Sequence, residues 1–292
     1  MDVTVVIPCF NESPENLRRA VASAVAPSAE VIVVDDGSTR GETLTALDSL
    51  NVQVIHTPNG GPARARNVGI GEGSGTYVLC LDSDDYLGEG FIGSLTAHLR
   101  GHPETTIAFS EWQRFGADTD LVVPESEIEW SQMLRQCPIN NSSMFRRSDW
   151  RQLGGYDESL RVGYEDWEWW CRLLLNTGGR ARIVDGARYY YQCQQSSRQI
   201  DNSRGVEALR ATRHAMMSNN PDHASAIALA VIEADLAAAY LWGTLQSPIA
   251  DAATSQARYW AGRYGRVEAL LNRFMRVGRL WDRFVTKPPQ TS

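Results

Sequence analysis

No run in the 292-residue chain reaches the roughly 18 apolar residues that a membrane-spanning helix needs. Positive charge is in deficit. The chain has 28 basic against 35 acidic side chains, a net charge of -7, which argues against a general nucleic-acid binder. The five cysteines (Cys9, Cys80, Cys137, Cys171 and Cys193) are odd in number, and none are spaced as a zinc or redox motif. They predict a reduced, cytoplasmic chain, with Cys80 a small core residue inside an apolar run. The five histidines (His56, His98, His102, His214 and His223) form no cluster in the sequence and are expected at the surface. Asp2 stands where a secretory leader would carry basic residues, so no signal peptide is expected. Hydrophobic content of 43% and charge of 22% are ordinary for a globular protein. The length allows one sizeable core, or one core with a smaller appendage.

What is present centres on Tyr77-Val78-Leu79-Cys80-Leu81-Asp82-Ser83-Asp84-Asp85. An apolar run short enough for one buried strand passes straight into three carboxylates, which must emerge where the strand ends. Asp82 and Asp84 are two apart, so in extended backbone they point to one face. Such a pair either surrounds a hard cation such as Mg2+ or Mn2+, or is a solvated turn in which Asp84 or Asp85 caps a helix starting near Glu89.

Upstream, Val3–Ile7 and Val31–Val34 read as buried strands, each followed by a helical pattern (through Leu17, Val21 and Val25, then through Leu44, Leu47 and Leu50). The short strand Val52–Ile55 and a helix over Ala63–Ile70 complete the series. Strand and helix alternating in this way predict a parallel sheet with right-handed crossovers. In the order 3-2-1-4, the strand ends at Pro8-Cys9-Phe10, Asp35-Asp36-Gly37 and Asp82-Ser83-Asp84 would share one edge, where ligands bind in such sheets. Further on, Ile107–Glu111, Ile139–Phe145 and Ile183–Tyr191 read as strands. The helix after Glu165-Asp166 carries Trp167, Trp169 and Trp170. A boundary near residue 200 separates a region of 1–200 from a helical extension of 201–292.

Val5-Val6-Ile7-Pro8-Cys9-Phe10-Asn11-Glu12, Val34-Asp35-Asp36-Gly37-Ser38, Ala65-Arg66-Asn67-Val68-Gly69-Ile70, Asp82-Ser83-Asp84-Asp85, Gly154-Gly155-Tyr156-Asp157-Glu158 and Glu165-Asp166 resemble, in order and spacing, the motifs of family 2 glycosyltransferases. The match covers roughly residues 1 to 195. It implies an α/β GT-A fold, a Rossmann-like and mainly parallel central sheet flanked by helices, here with a C-terminal α-helical extension. It also implies an inverting, Mn2+- or Mg2+-dependent transfer from a nucleoside-diphosphate sugar (UDP, or else dTDP or GDP) to an acceptor hydroxyl. By this resemblance Pro8, Cys9, Phe10 and Glu12 line the base and ribose pocket, and Asp36, or else Asp35, takes the base N–H. Arg66 approaches the base or diphosphate. Asp82 and Ser83 contact the donor, Asp84 holds the metal, and Asp166 is the general base.

The chemistry accounts for these residue types. A divalent cation neutralises the leaving diphosphate, and inversion needs one carboxylate to take the acceptor's proton. Glu165 and Asp166 are adjacent, so on a helix they diverge by about 100° and only one faces the acceptor. The alternative is that the pair merely complements the helix dipole. Asp157, Glu165 and Trp167 are candidates for sugar contacts, although Asp157 and Glu158 could equally hold the glycine loop. Trp170 reads as core, and Trp167 or Trp169 as a sugar platform. Family members often carry a histidine after the last strand, but Tyr191 to Arg198 has none, and the Gln-x-x-Arg-Trp element of processive enzymes lacks its Trp. A single addition to a glycan, lipid-linked or small-molecule acceptor is therefore expected. An inactive relative serving as a binding or scaffolding subunit is the alternative.

Residues 258–287 hold eight basic against two acidic side chains, which leaves about -13 for the rest. Their apolar stripe (Val267, Leu270, Leu271, Phe274, Val277, Trp281 and Phe284) predicts a basic amphipathic helix. It would pack on protein, including a homodimer partner, or lie on the inner face of the membrane.

Overall fold

A computed structural model describes residues 1–134, 137–161, 163–193 and 202–241 of the chain. Contacts divide it into two compact units, Met1–Met216 and Met217–Ser292. The first unit opens with β1 (Val3–Cys9), α1 (Pro14–Ala24), β2 (Ala29–Asp35), α2 (Gly41–Asp48), β3 (Gln53–His56), α3 (Pro62–Glu72) and β4 (Tyr77–Cys80). It continues through β5 (Tyr86–Leu87), α4 (Phe91–Gly101), β6 (Thr105–Gly116), β7 (Leu121–Val122), β8 (Glu127–Ile128) and α5 (Trp130–Met133). Then come β9 (Met144–Arg146), α6 (Arg147–Leu153), α7 (Glu165–Thr177), β10 (Arg180–Cys193) and α8 (Asn202–Ser218).

One sheet runs β3-β2-β1-β4-β9-β6-β10-β5. Its first four strands are parallel in the expected order. β1 is central because its Val3, Val5, Val6 and Ile7 are wholly buried, as a strand covered on both faces requires. On one face lies α1, capped by the Ser13 side chain accepting from Asn16 N, with Leu17, Ala20, Val21 and Ala24 turned inward. On the other lies α3. A Cβ on its Gly69 would sit 2.4 Å from Val6 Cγ1, so only glycine lets the helix approach so closely.

Beyond β4 short antiparallel strands enter the sheet, whose longest ladders stay parallel. The expected strand Ile139–Phe145 is only Met144–Arg146, antiparallel to both β4 and β6. It wedges between two parallel sets, because β10 then pairs parallel to β6. The acidic turn does not cap a helix. β5 follows it directly and pairs antiparallel with β10, while α4 starts from Gly90 without a side-chain cap.

In the second unit a 3-10 turn (Pro221–His223) leads to α9 (Ala224–Leu241), within the expected helical extension. Among the described residues no helix is long and apolar enough to cross a membrane. The expected boundary at 200, Gln194–Arg198 and the basic stripe of 258–287 lie outside the described residues.

Candidate active site

The strand ends converge as expected, and a cavity of about 370 Å3 opens there. Pro8, Cys9, Phe10, Glu12 and Asp36 form one wall; Asp82, Ser83 and Asp84 form the other. Asn59, Gly61 and Pro62 close the remaining side. Phe10 stays 52% exposed although it is aromatic, so its ring is available to a partner.

The two candidate base-binding acids behave differently. Both Asp36 oxygens accept backbone N–H groups, from Gly60 at 2.7 Å and Gly61 at 2.9 Å, which folds the glycine loop against the cavity. Asp35 does not line the cavity. It accepts from Ser38 N at 2.9 Å and meets His56 Nδ1 at 2.9 Å. Burial alone would raise its carboxyl, but hydrogen bonds from Ser38 and His56 overcome this and hold it below its usual value. His56 stays exposed at the surface, as expected, while engaging Asp35. His98 and His102 meet, with rings stacked 4.3 Å apart.

The acidic turn separates three roles. Asp82 Oδ1 accepts from Arg66 Nη2 and from Asn141 Nδ2, each at 2.9 Å. Asp84 faces the cavity. Burial, followed by the charges of Asp82 and Glu12, pushes its carboxyl up to about 7. Asp85 is turned inward, where Tyr189 Oη donates to one oxygen and Gln192 N to the other at 2.6 Å. Burial and the neighbouring charges of Asp84 and Asp82 raise its carboxyl well above the ordinary range.

Arg66 is 3% exposed and does not line the cavity. It stands behind the acidic turn, bonded to Asp82 and to Glu165, with its guanidinium 5.6 Å from the Tyr156 ring centre. This corrects Glu165 as a sugar contact. Glu165 is buried as Arg66's partner and joins α7 to the turn. Asp166, one residue on, is only half-buried. Burial, then the charge of Glu165, pushes its carboxyl up to about 7, against the opposing pull of Arg66.

Trp167 is also corrected as a sugar platform. It is 5% exposed, and its indole N–H donates to the Met133 carbonyl of α5. The accessible aromatic at the mouth of α7 is Tyr164, 39% exposed and held at φ +63 at the helix N-cap. Bulky residues rarely adopt that conformation outside sites that constrain them.

Asp157 turns its carboxylate back on Ser159 N at 2.9 Å, so the loop-holding reading fits it. Asn67 then clamps the glycine loop. Its Oδ1 accepts from Trp150 Nε1 and Tyr156 N, and its Nδ2 donates to the Tyr156 carbonyl and to Glu158. Gly155 sits at φ +77, where a Cβ would fall 2.5 Å from Asn67 Oδ1 and 2.6 Å from Trp150 Nε1. Gly155→Ala is expected to cost about 1–3 kcal/mol, read as a lower midpoint in urea unfolding. An unchanged midpoint would show that the clamp is slack.

Sequence reasoning did not single out His56, Asn59, Asn141 or Tyr164. Asn59 had a local signal, since it adjoins Gly60-Gly61-Pro62. Asn141 had none, because its partner Asp82 is 59 residues away.

The donor set of the acidic turn is all oxygen and anionic, which fits a hard divalent cation. The like charges that raise Asp84 are what such an ion would neutralise. No cluster of three or more His, Cys, Asp or Glu side chains able to hold an ion occurs among the described residues, so the ion would have to share ligands with a bound anion.

The sequence profile described as glycosyl transferase family 2 matches residues 4–155. The succinoglycan biosynthesis protein ExoU of Rhizobium meliloti is 31% identical over 239 residues, covering 72% of this chain and 69% of that protein. An uncharacterised glycosyltransferase of Rickettsia bellii is 29% identical over 192 residues, and the chain spans only 26% of its length. Among solved structures, S. aureus TarS 1–349 in complex with UDP-GlcNAc superposes with a TM-score of 0.61 at 22% identity, over 80% of this chain and 71% of that one. That likeness is one of fold.

Proposed function

The chain belongs to glycosyl transferase family 2, and from that premise we propose that it moves a sugar, with inversion, from a nucleoside-diphosphate sugar to an acceptor hydroxyl. The observation that carries this is one cavity lined both by the exposed Phe10 ring with the N–H-bound Asp36 and by Asp82, Ser83 and Asp84 of the acidic turn.

The base would stack on Phe10 and meet Asp36, whose oxygens are already oriented by the glycine loop. Asp82, fixed by Arg66 and Asn141, would accept from a ribose hydroxyl. Asp84 would hold Mn2+ or Mg2+ together with the diphosphate, and the bound ion supplies charge neutralisation to the leaving group. Asp166 would take the acceptor's proton at its carboxylate, with a pKa near 7 that suits a base at neutral pH. Its neighbour Glu165 stays engaged with Arg66, so Asp166 is the acid of the pair left for chemistry. UDP is the favoured nucleotide, because the TarS complex of the same fold holds UDP-GlcNAc. A glycan or lipid-linked acceptor in polysaccharide assembly is favoured by the likeness to ExoU.

A thermal-shift panel of UDP, dTDP, GDP, CDP and ADP, with and without Mn2+, tests the reading. Selective, metal-enhanced stabilisation by UDP is expected, and no stabilisation by any nucleotide would overturn it. Phe10→Ala is expected to weaken UDP binding by about 1–3 kcal/mol, the range for base–aromatic stacking. Calorimetry showing equal affinity would move the base away from Phe10.

A further inference from the structure

The two acidic walls of the cavity come from distant segments, Glu12 after β1 and Asp84 after β4, and an unbroken chain of polar contacts links them along one edge of α1. Glu12 Oε1 accepts from Asn16 Nδ2 at 2.9 Å. Asn16 Oδ1 accepts from Arg19 Nη2 at 2.8 Å, and the same nitrogen donates to the Asp84 carbonyl at 2.8 Å. Asn16 and Arg19 are three apart on α1, the spacing that puts them on one helical face, and Glu12 lies just before the helix cap Ser13.

Arg19 is fixed from the side as well. Its guanidinium lies 5.2 Å from the Tyr86 ring centre and 4.8 Å from that of Phe115, and Tyr86 stacks on Tyr190 of β10 at 4.4 Å. Gln192, whose backbone N–H holds Asp85, also faces Arg19 Nη2 at 3.4 Å. Arginine suits this place because one planar group donates in several fixed directions and stacks between rings.

We infer that Arg19 is a positioning residue: through the strut Glu12–Asn16–Arg19 it sets the Asp84 backbone, and so the separation of the two acidic walls, for a metal-bound diphosphate. No bond of the strut reaches the Phe10 ring or the Asp36 carboxylate, and Arg19 itself bonds to the Asp84 carbonyl, so its main effect is expected on the diphosphate. The inference rests on the glycosyl-transfer reading above.

Calorimetric binding of UDP and of uridine, each with and without Mn2+, separates the cases without any turnover measurement. Arg19→Met keeps a long apolar stem between Tyr86 and Phe115 but loses the donors. It is expected to cut UDP affinity in Mn2+ about tenfold or more, while uridine affinity changes less than twofold. Arg19→Lys, which keeps one donor for the Asp84 carbonyl, should recover part of the loss. Should Arg19→Met not fold, Asn16→Ala opens the strut from its other side and should give the same pattern with a smaller loss. UDP affinity in Mn2+ that survives in the folded variants would overturn the inference. So would UDP and uridine falling together, the mark of a general structural role. Wild-type protein that binds UDP with no gain from Mn2+ would overturn the metal-dependent reading and the inference with it.

Discussion

Asp166→Asn is expected to lower the rate of sugar transfer by about 100- to 10,000-fold, the usual contribution of a positioned general base, while UDP affinity stays within about twofold. The carboxylate does not line the cavity that holds Phe10 and Asp84, so losing its charge should leave nucleotide binding intact. Steady-state kinetics paired with calorimetry checks both halves, and unchanged transfer would remove Asp166 from the base role. The pH profile follows from the same burial. Burial and Glu165 raise the Asp166 carboxyl to about 7. Below that value it is protonated and cannot accept the acceptor's proton; above it the carboxylate is free to act. Transfer should therefore rise with pH and level off above about 7. Glu165→Gln removes a neighbouring negative charge and should move the rise to lower pH.

Arg66→Met should be the most destabilising single change at the site. It strands Glu165, 6% exposed, without its cation, and breaking a buried pair from one side costs about 3–5 kcal/mol. At about 2–4 °C per kcal/mol for a unit of this size, the melting temperature should fall by on the order of 10 °C. Adding Glu165→Gln neutralises the stranded acid and should restore part of that loss. Asp82 needs no such rescue, because its side chain is 33% exposed and water can replace the arginine. Circular dichroism melts of the two variants test this. A double variant no more stable than the single one would show that the arginine acts through packing on Tyr156.

The first half of the fold was legible because its strands are continuous apolar runs ending in polar residues. β1, β2 and β4 carry their burial in composition, and the edge they form is where Pro8, Asp36, Asp82 and Asp84 meet. Legibility failed where a residue's role depends on a distant partner. Trp167 looks like a sugar platform until α5 supplies a carbonyl for its indole. Asp85 looks like a helix cap until β10 brings Tyr189 and Gln192 to it. Glu165 and Asp166 are alike in sequence, and only the position of Arg66 divides them into a buried anchor and a half-buried carboxylate left outside that pair. β9 is too short, at three residues, for any period to register.

The wedge of β9 also sets an order of assembly. β1 to β4 need only the first 80 residues to pair, whereas β4 gains its other neighbour about 65 residues later, and β5 must wait for β10, about a hundred residues on. Long-range pairings pay their loop-closure entropy before they are rewarded. As the chain leaves the ribosome, the side of the cavity that carries Phe10 and Asp36 can therefore form early, while Asp85 stays unsatisfied until the last strand arrives. The acidic turn is among the final parts of the molecule to set, so an incomplete chain would carry one side of the cavity and no completed one.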